Sequence, residues 1–131
     1  MPAPSSISAA GLRARIAAAL ALVTLLPAAA SAQNYQFAPA PQADLNRIYR
    51  VDRSSGEVSA CQYGVKEGTV GTTLCYAAGE GAGAQSTPGE YELIGSNHER
   101  EGGIFRVNLR TGEVSVCYVL ADHVVCTPQT R

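Results

Sequence analysis

A fourteen-residue segment occurs twice in this chain. Residues 48–61, IYRVDRSSGEVSAC, recur as residues 104–117, IFRVNLRTGEVSVC, at a constant offset of 56 residues and without a gap. Each copy is followed by a second cysteine, Cys75 in the first copy and Cys126 in the second. The chain is therefore predicted to contain one supersecondary unit twice, with two cysteines in each unit.

Each copy has the residue pattern of a β-hairpin. Apolar and polar residues alternate on either side of two short polar segments, 52–57 and 108–113. Each segment begins with Asp or Asn, whose side chain accepts hydrogen bonds from turn amides, and has a Gly four residues later. Glycine there can adopt the left-handed conformation that closes such a turn. A third strand is predicted after each hairpin, over 72–76 and 123–127.

The two turns, Asp52-Arg53-Ser54-Ser55-Gly56 and Asn108-Leu109-Arg110-Thr111-Gly112, resemble a turn found in β-propeller blades. The quinoprotein-type repeats of that family usually have Asp-x-x-Thr-Gly followed by a tryptophan, and this chain contains no tryptophan. Two units are also too few to close a propeller of four or more blades, so no quinone or other cofactor is expected. As a whole the chain resembles small exported bacterial proteins, which implies no activity.

Alternation assigns one face of each hairpin to the core and the other to solvent. The predicted core face comprises Tyr49, Val51, Val58 and Ala60 in the first copy, and Phe105, Val107, Leu109, Val114 and Val116 in the second. The predicted solvent face comprises Arg50, Asp52, Glu57 and Ser59, and Arg106, Asn108, Glu113 and Ser115. A single hairpin is marginal in water, so the two apolar faces are predicted to stack.

The predicted fold class is all-β, with two repeated antiparallel units packed as a small sandwich or partly open barrel. Pairing of the same faces between two chains, which gives a homodimer, is the alternative. The predicted organisation is an extended arm over 33–45, in which Tyr35 and Phe37 form a short edge strand, and a single β domain over 46–131. Within that domain a linker rich in Gly and Ala, 77–89, joins the repeats 46–76 and 91–128.

The first 32 residues have the features of a cleaved signal peptide with an apolar helix. Arg13 and Arg15 precede an apolar run of 11 residues, Ile16 to Leu26, whereas a membrane-spanning helix needs about 20. Ala30-Ser31-Ala32 is a small-x-small cleavage site. The mature protein is therefore predicted to be exported to the periplasm or the exterior, with no integral membrane segment after cleavage.

Four cysteines in a small exported domain are typical of a disulfide framework. Adjacency of the hairpin strands predicts the pairs Cys61–Cys75 and Cys117–Cys126, and the rival pairing joins Cys61 to Cys117 and Cys75 to Cys126. A four-thiolate zinc site is disfavoured, because the spacings C-x13-C and C-x8-C differ from the short knuckles of structural zinc sites. No metal site is predicted.

No residue pattern in the chain indicates catalysis. His98 and His123 lie in predicted loops, and Glu90 and Glu92 share one face of a short predicted strand. A nucleic-acid partner is not expected, because the formal net charge is −1. The tyrosines near the cysteines are predicted either to pack over the disulfides or to form a partner surface: Tyr63, Tyr76, Tyr91 and Tyr118.

The predicted function is that of a non-enzymatic, secreted or periplasmic binding or envelope-accessory protein, whose partner is an unknown protein or envelope component. One alternative is a protein inhibitor of an extracellular enzyme. A second alternative is a small hydrolase that uses His123 or the pair Glu90 and Glu92.

Overall fold

The computed structural model describes residues 1–5, 34–87 and 89–130. The predicted signal peptide, apart from its first five residues, lies outside the described residues. The chain divides into two compact units, Met1–Ala30 and Ser31–Arg131, and the fold described below is that of the second. In the part of the chain that the structure describes, no helix is long and apolar enough to cross a membrane.

Eight β-strands form one sheet in the order β1-β2-β3-β4-β8-β7-β6-β5, and no helix occurs among the described residues. The sheet curls into a nearly closed barrel, so the predicted all-β, partly open barrel is confirmed. The strands are β1 (Tyr35–Pro39), β2 (Arg47–Asp52), β3 (Val58–Gly64), β4 (Thr72–Ala78), β5 (Tyr91–Ile94), β6 (Ile104–Asn108), β7 (Val114–Leu120) and β8 (His123–Cys126).

The central hairpins have the predicted register and turn chemistry. Val51 pairs with Val58 across β2 and β3. The turn between them closes through a 2.8 Å hydrogen bond from the Gly56 amide to the Asp52 carbonyl, with Gly56 at a φ of 76°. The Asp52 carboxylate accepts a hydrogen bond of 2.9 Å from the Ser54 amide. The turn of the second repeat has the same 2.8 Å backbone bond, so both turns form for the same local reason.

Strand β1 lies inside segment 33–45, which was predicted as an arm, and it contains Tyr35 and Phe37 of the predicted edge strand. It pairs antiparallel with β2 over its whole length. The sheet therefore begins before residue 46, and each repeat supplies four strands rather than three. In the second repeat β5 takes the place that β1 has in the first, at the same offset along the chain.

The two halves of the sheet meet at β4 and β8, which run parallel. A parallel junction combined with a mirrored strand order results when one half is rotated by half a turn about an axis that lies in the sheet and runs along the strands. This rotation keeps the strand directions, reverses their order and turns the sheet over. The register at the junction agrees with this rotation. When the repeats are aligned on Cys75 and Cys126, Thr72 is the residue equivalent to His123, but the residue that pairs with His123 is Ala77. Because the shift from Thr72 to Ala77 is an odd number of residues, equivalent residues of β4 and β8 point to opposite faces of the sheet.

Equivalent residues of the two repeats consequently face opposite sides of the barrel. The face prediction is confirmed for the first repeat, where Tyr49, Val51, Val58 and Ala60 are buried. It is wrong for the second repeat, where Phe105, Leu109 and Val114 are exposed and Val107 and Val116 are half-buried. The buried face of the second repeat contains three polar residues that were predicted to face solvent, Arg106, Asn108 and Ser115. It also contains the apolar residues Ile104 and Cys117, which alternate with the predicted core residues.

A side chain closes the barrel between its two edge strands. The Gln36 side chain on β1 accepts a 2.6 Å hydrogen bond at Oε1 from the Leu93 amide on β5. Its Nε2 donates a hydrogen bond of 3.3 Å to the Leu93 carbonyl. One glutamine amide thus occupies both backbone groups of Leu93, as a neighbouring strand would. Inside this seam the core draws on both repeats and includes Tyr49, Val51, Val58, Leu93, Ile104 and Val124.

Both predicted disulfides are present in place of the rival pairing, and they take up all four cysteines. Cys61 and Cys75 pair across β3 and β4, and Cys117 and Cys126 pair across β7 and β8. The first disulfide lies on the outer side of the sheet, whereas both cysteines of the second are buried inside the barrel. Two disulfides fit an oxidising compartment such as the periplasm or the cell exterior.

Candidate binding surface

The second repeat presents a continuous apolar surface to solvent. This surface, here called the outer apolar face, consists of Ile94, Phe105, Val107, Val114, Val116, Tyr118, Leu120 and Val125. Of the side chains near its centre and edge, Phe105 is 37% exposed and Ile94 is 49% exposed. A group of exposed apolar side chains on a small domain is a candidate contact site.

Strand register makes the outer apolar face contiguous. Ile94 pairs with Phe105, and Phe105 pairs with Val116, so one apolar row crosses β5, β6 and β7. Tyr118 pairs with Val125 in a second row that reaches β8. Paired residues lie side by side on the same face of a sheet. The face therefore spans all four strands of the second repeat.

The outer surface of the first repeat is different in character. Phe37 and Ile48 are exposed there, but polar side chains lie between and beside them. Arg50 donates a 3.1 Å hydrogen bond from Nε to Ser59 Oγ, and its guanidinium lies 4.8 Å from the centroid of the Tyr35 ring. The outer apolar face of the second repeat is thus broader than its counterpart in the first repeat, where the apolar row of Pro39, Ile48, Cys61 and Cys75 lies beside the polar pair Arg50 and Ser59.

A groove opens in the outer apolar face beside Gly103, at the start of β6. Its volume is about 390 Å³, and it is lined by Ser96, His98, Glu101, Gly103, Ile104, Phe105 and Val116. A Cβ atom at Gly103 would lie 3.4 Å from the Val116 Cγ1 atom and 3.4 Å from the Tyr118 Cβ atom. Because Gly103 has no side chain, the space beside Val116 and Tyr118 is left unfilled.

The polar side of the groove comes from the β5–β6 loop. His98 Nδ1 lies 3.7 Å from Glu101 Oε1, and both side chains are exposed. A carboxylate beside an apolar floor suits a partner that combines an apolar side chain with a cation. The groove can thus discriminate by charge as well as by shape.

Arg106 lies on β6 and faces the interior of the barrel, opposite to the outer apolar face, with 4% of its surface exposed. Its Nη1 donates to the Gly56 carbonyl at 2.9 Å, and its Nη2 donates to the Gly81 carbonyl at 3.1 Å and to Ser115 Oγ at 3.4 Å. Burial lowers the pKa of the Arg106 guanidinium from its usual value. The side chain ties β6 of the second repeat to a turn of the first and to the linker, which is a structural role.

Glu90 and Glu92, which were considered as paired carboxylates, both accept hydrogen bonds from Arg53. The Arg53 Nη2 atom lies 3.2 Å from an oxygen of each carboxylate. The guanidinium thus links the turn between β2 and β3 to the start of β5. This arrangement resembles a surface ion-pair network more than the spaced acid and base of a glycoside hydrolase.

His123 lies at the start of β8, and its Nδ1 is 2.8 Å from Asp122 Oδ1. Among the described residues no serine, threonine or cysteine is hydrogen-bonded to this imidazole, as a nucleophile would be. Within the same residues, no group of three or more His, Cys, Asp and Glu side chains is placed to hold a metal ion. The absence of catalysis stays a prediction.

The four tyrosines do not share one surface. Tyr91 is buried and donates a 2.8 Å hydrogen bond to the Thr87 carbonyl, while Tyr76 is half-buried against the core. Tyr63 and Tyr118 are exposed, but Tyr63 lies on β3 of the first repeat. Tyr118 alone belongs to the outer apolar face.

Comparison of the chain with models of protein families, with curated proteins and with solved structures finds no match.

The sequence pattern did not reveal the outer apolar face as a surface, because Phe105, Val107, Val114 and Val116 of this face were predicted to lie in the core. Alternation of apolar and polar residues has the same period whether the apolar side meets a core or a partner. One signal for the correct face was available in the sequence. Ile104, Cys117 and Cys126 are apolar and lie on the face of the second repeat that is buried.

Proposed function

We propose that this chain is an exported, non-enzymatic binding or envelope-accessory protein, and that its contact surface is the outer apolar face. The observation that carries the proposal is the uninterrupted apolar row Ile94, Phe105 and Val116, which faces solvent in a domain whose core lies on the other side of the sheet. An aliphatic and aromatic surface of this kind is stabilised when a partner removes it from water.

Two further features support the proposal. The domain is held by two disulfides and by a side-chain seam, so its surface is rigid before a partner binds, which lowers the entropic cost of association. The leader-like first 32 residues and the disulfides agree with a place in the periplasm or outside the cell. The partner is proposed to be a protein, because the face is broad and lacks the cationic side chains that nucleic acid requires.

The test compares two single substitutions on opposite outer surfaces. Phe105→Ser removes the centre of the outer apolar face, and Phe37→Ser removes an exposed phenylalanine from the first repeat. Both variants and the original chain serve as oxidised baits in a periplasmic extract, with thermal unfolding as a folding check. We expect capture to be lost with Phe105→Ser and kept with Phe37→Ser. Equal capture by both variants would contradict the assignment of the face.

A further inference from the structure

We propose that the groove beside Gly103 receives the β3–β4 loop, residues 65–71, of a second copy of the chain, so that two copies exchange loops in a reciprocal homodimer. This inference rests on the proposed function, since it names the partner that occupies one part of the outer apolar face. Three features of the loop and the groove support it.

The first feature is the exposure of apolar side chains in the loop. Val70 is 95% exposed and Val65 is 77% exposed, more than any other large apolar residue of the described β domain. The loop is nevertheless ordered by its own hydrogen bonds. Thr69 Oγ1 donates to the Lys66 carbonyl at 2.7 Å, and Tyr63 Oη donates to the Val70 carbonyl at 3.2 Å. A rigid turn that presents two valines to water is preorganised to bind an apolar site.

The second feature is charge complementarity. Lys66, between the two valines, is the only lysine in the chain, and it is followed by Glu67. The groove has an apolar floor formed by Phe105 and Val116, and Glu101 supplies a carboxylate at its rim. The apolar side chains of the loop thus match the apolar floor of the groove, and Lys66 is the loop residue whose charge is opposite to that of Glu101.

The third feature is the position of the loop and the groove in the fold. Strand directions alternate within each repeat and β4 runs parallel to β8, so the β1–β2, β3–β4, β5–β6 and β7–β8 connections all lie at one end of the barrel. The groove is lined by the β5–β6 connection, so it opens at the same end as the β3–β4 loop. Strand β8 lies between β4 and β7, which supplies Val116 to the groove, and Val65 and Val70 are exposed and so do not occupy the groove of their own chain.

A single twofold axis can therefore bring each loop to the groove of the other copy. Such an interface is isologous and closed, because the same two elements meet twice. The assembly therefore stops at a dimer.

The first experiment is sedimentation velocity of the purified, oxidised chain over a wide range of concentration. Lys66→Glu and Glu101→Lys each place like charges in both contacts, and each is expected to weaken dimerisation at least about fivefold. The double variant Lys66→Glu with Glu101→Lys restores the opposite charges and is expected to recover the dimer. Glu80→Lys makes the same change of charge as Glu101→Lys on the exposed linker after β4, and is expected to leave the dimer unchanged.

The second experiment is zero-length cross-linking with a carbodiimide, which activates a carboxylate and joins it to an amine as an amide with loss of water. Because Lys66 is the only lysine, a cross-linked dimer is expected to contain a peptide with residues 65–71 joined to one with Glu101. Val70→Asp, which replaces an apolar side chain of the loop with a charged one, is expected to abolish the cross-link.

A chain that stays monomeric at all concentrations, or a double variant that fails to recover dimerisation, overturns the inference. A cross-link from Lys66 to a carboxylate far from the groove overturns it too. If the chain is monomeric but still captures a partner in a manner that depends on Phe105, only the dimer is overturned. If dimerisation and the dependence on Phe105 are both absent, the proposed function falls with it.

Discussion

Arg50 and Arg106 occupy the same position in the two repeats, yet Arg50 lies on the outer surface and Arg106 is buried inside the barrel. Both contact the hydroxyl of the serine that pairs with them across the hairpin, Ser59 and Ser115 respectively. Only the buried arginine also binds backbone carbonyls of distant segments. The two residues therefore differ sharply in what they contribute to stability.

Replacement of Arg106 with alanine is expected to lower the free energy of unfolding by about 3 kcal/mol, because the buried Gly56 carbonyl and the Gly81 carbonyl both lose their side-chain donor. Arg50→Ala is the matched control and is expected to lower it by less than about 1 kcal/mol. Urea unfolding of both variants in oxidising buffer measures the difference. A larger effect at Arg50 would contradict the assignment of inside and outside.

The inverted faces also predict a contrast between neighbouring residues of β6. Ile104→Ala is expected to lower the free energy of unfolding by about 2–5 kcal/mol, since Ile104 is fully buried in the core. Phe105→Ala removes a larger side chain from the outer apolar face and is expected to change it by less than about 1 kcal/mol. Thermal melts at protein concentrations low enough to keep the chain monomeric give the comparison.

The two disulfides are expected to differ in their rate of reduction. Cys75 is exposed on the outer side of β4, whereas Cys117 and Cys126 are buried. A thiolate reductant has to reach a sulfur atom, so Cys61–Cys75 is expected to open first under native conditions. Brief treatment with dithiothreitol, alkylation and peptide mapping identify the alkylated cysteines. Earlier alkylation of Cys117 would show that the barrel interior is open to the reagent.

The Gln36 seam predicts a local effect on exchange. Gln36→Ala removes both hydrogen bonds to Leu93, and we expect faster hydrogen exchange at the Leu93 amide with a loss of about 1–2 kcal/mol in stability. Gln62→Ala is a suitable control, because Gln62 bonds to Arg47 within the first repeat and not across the seam. Unchanged exchange at Leu93 would mean that other contacts hold the seam closed.

The stability that Tyr49 contributes to the fold is expected to fall as the pH rises in the alkaline range. Burial raises the pKa of its phenol in the folded state, and its hydroxyl donates to the Gly102 carbonyl. A raised pKa favours the protonated form in the folded state, so this contribution is fully present below about pH 10 and is lost as the pH rises through the folded value. Tyr49→Phe is expected to remove that part of the alkaline loss of stability, as measured by urea unfolding across the range.

Much of the fold could be predicted from the sequence because it depends on neighbouring residues. The turn at Asp52 and Gly56, the register of Val51 with Val58 and the pairing of Cys61 with Cys75 all follow from residues close in the chain. The direction of the second repeat depends instead on one distant pairing, of β4 with β8, which only two residue pairs define. Neither alternation nor turn chemistry contains that information.

The candidate surface was missed for the same reason. Phe105 and Val116 alternate with polar residues as Tyr49 and Ala60 do, and only the junction of the halves decides which set is buried. The groove depends on the absence of a side chain at Gly103 beside two long-range neighbours, which local patterns do not reveal.

The inverted arrangement of the repeats has a consequence for how the two copies can change over time. Equivalent positions of the duplicated segment face opposite sides of the sheet, so the same substitution has different consequences in the two copies. An unequal exchange of genetic material that copied the first repeat over the second would place Tyr49 where Phe105 is exposed and Ala60 where Val116 lies. It would erase the groove and the apolar row while leaving every turn intact. The differences between the copies, with Phe105 in place of Tyr49 and Val116 in place of Ala60, are therefore what separates the outer apolar face from the core.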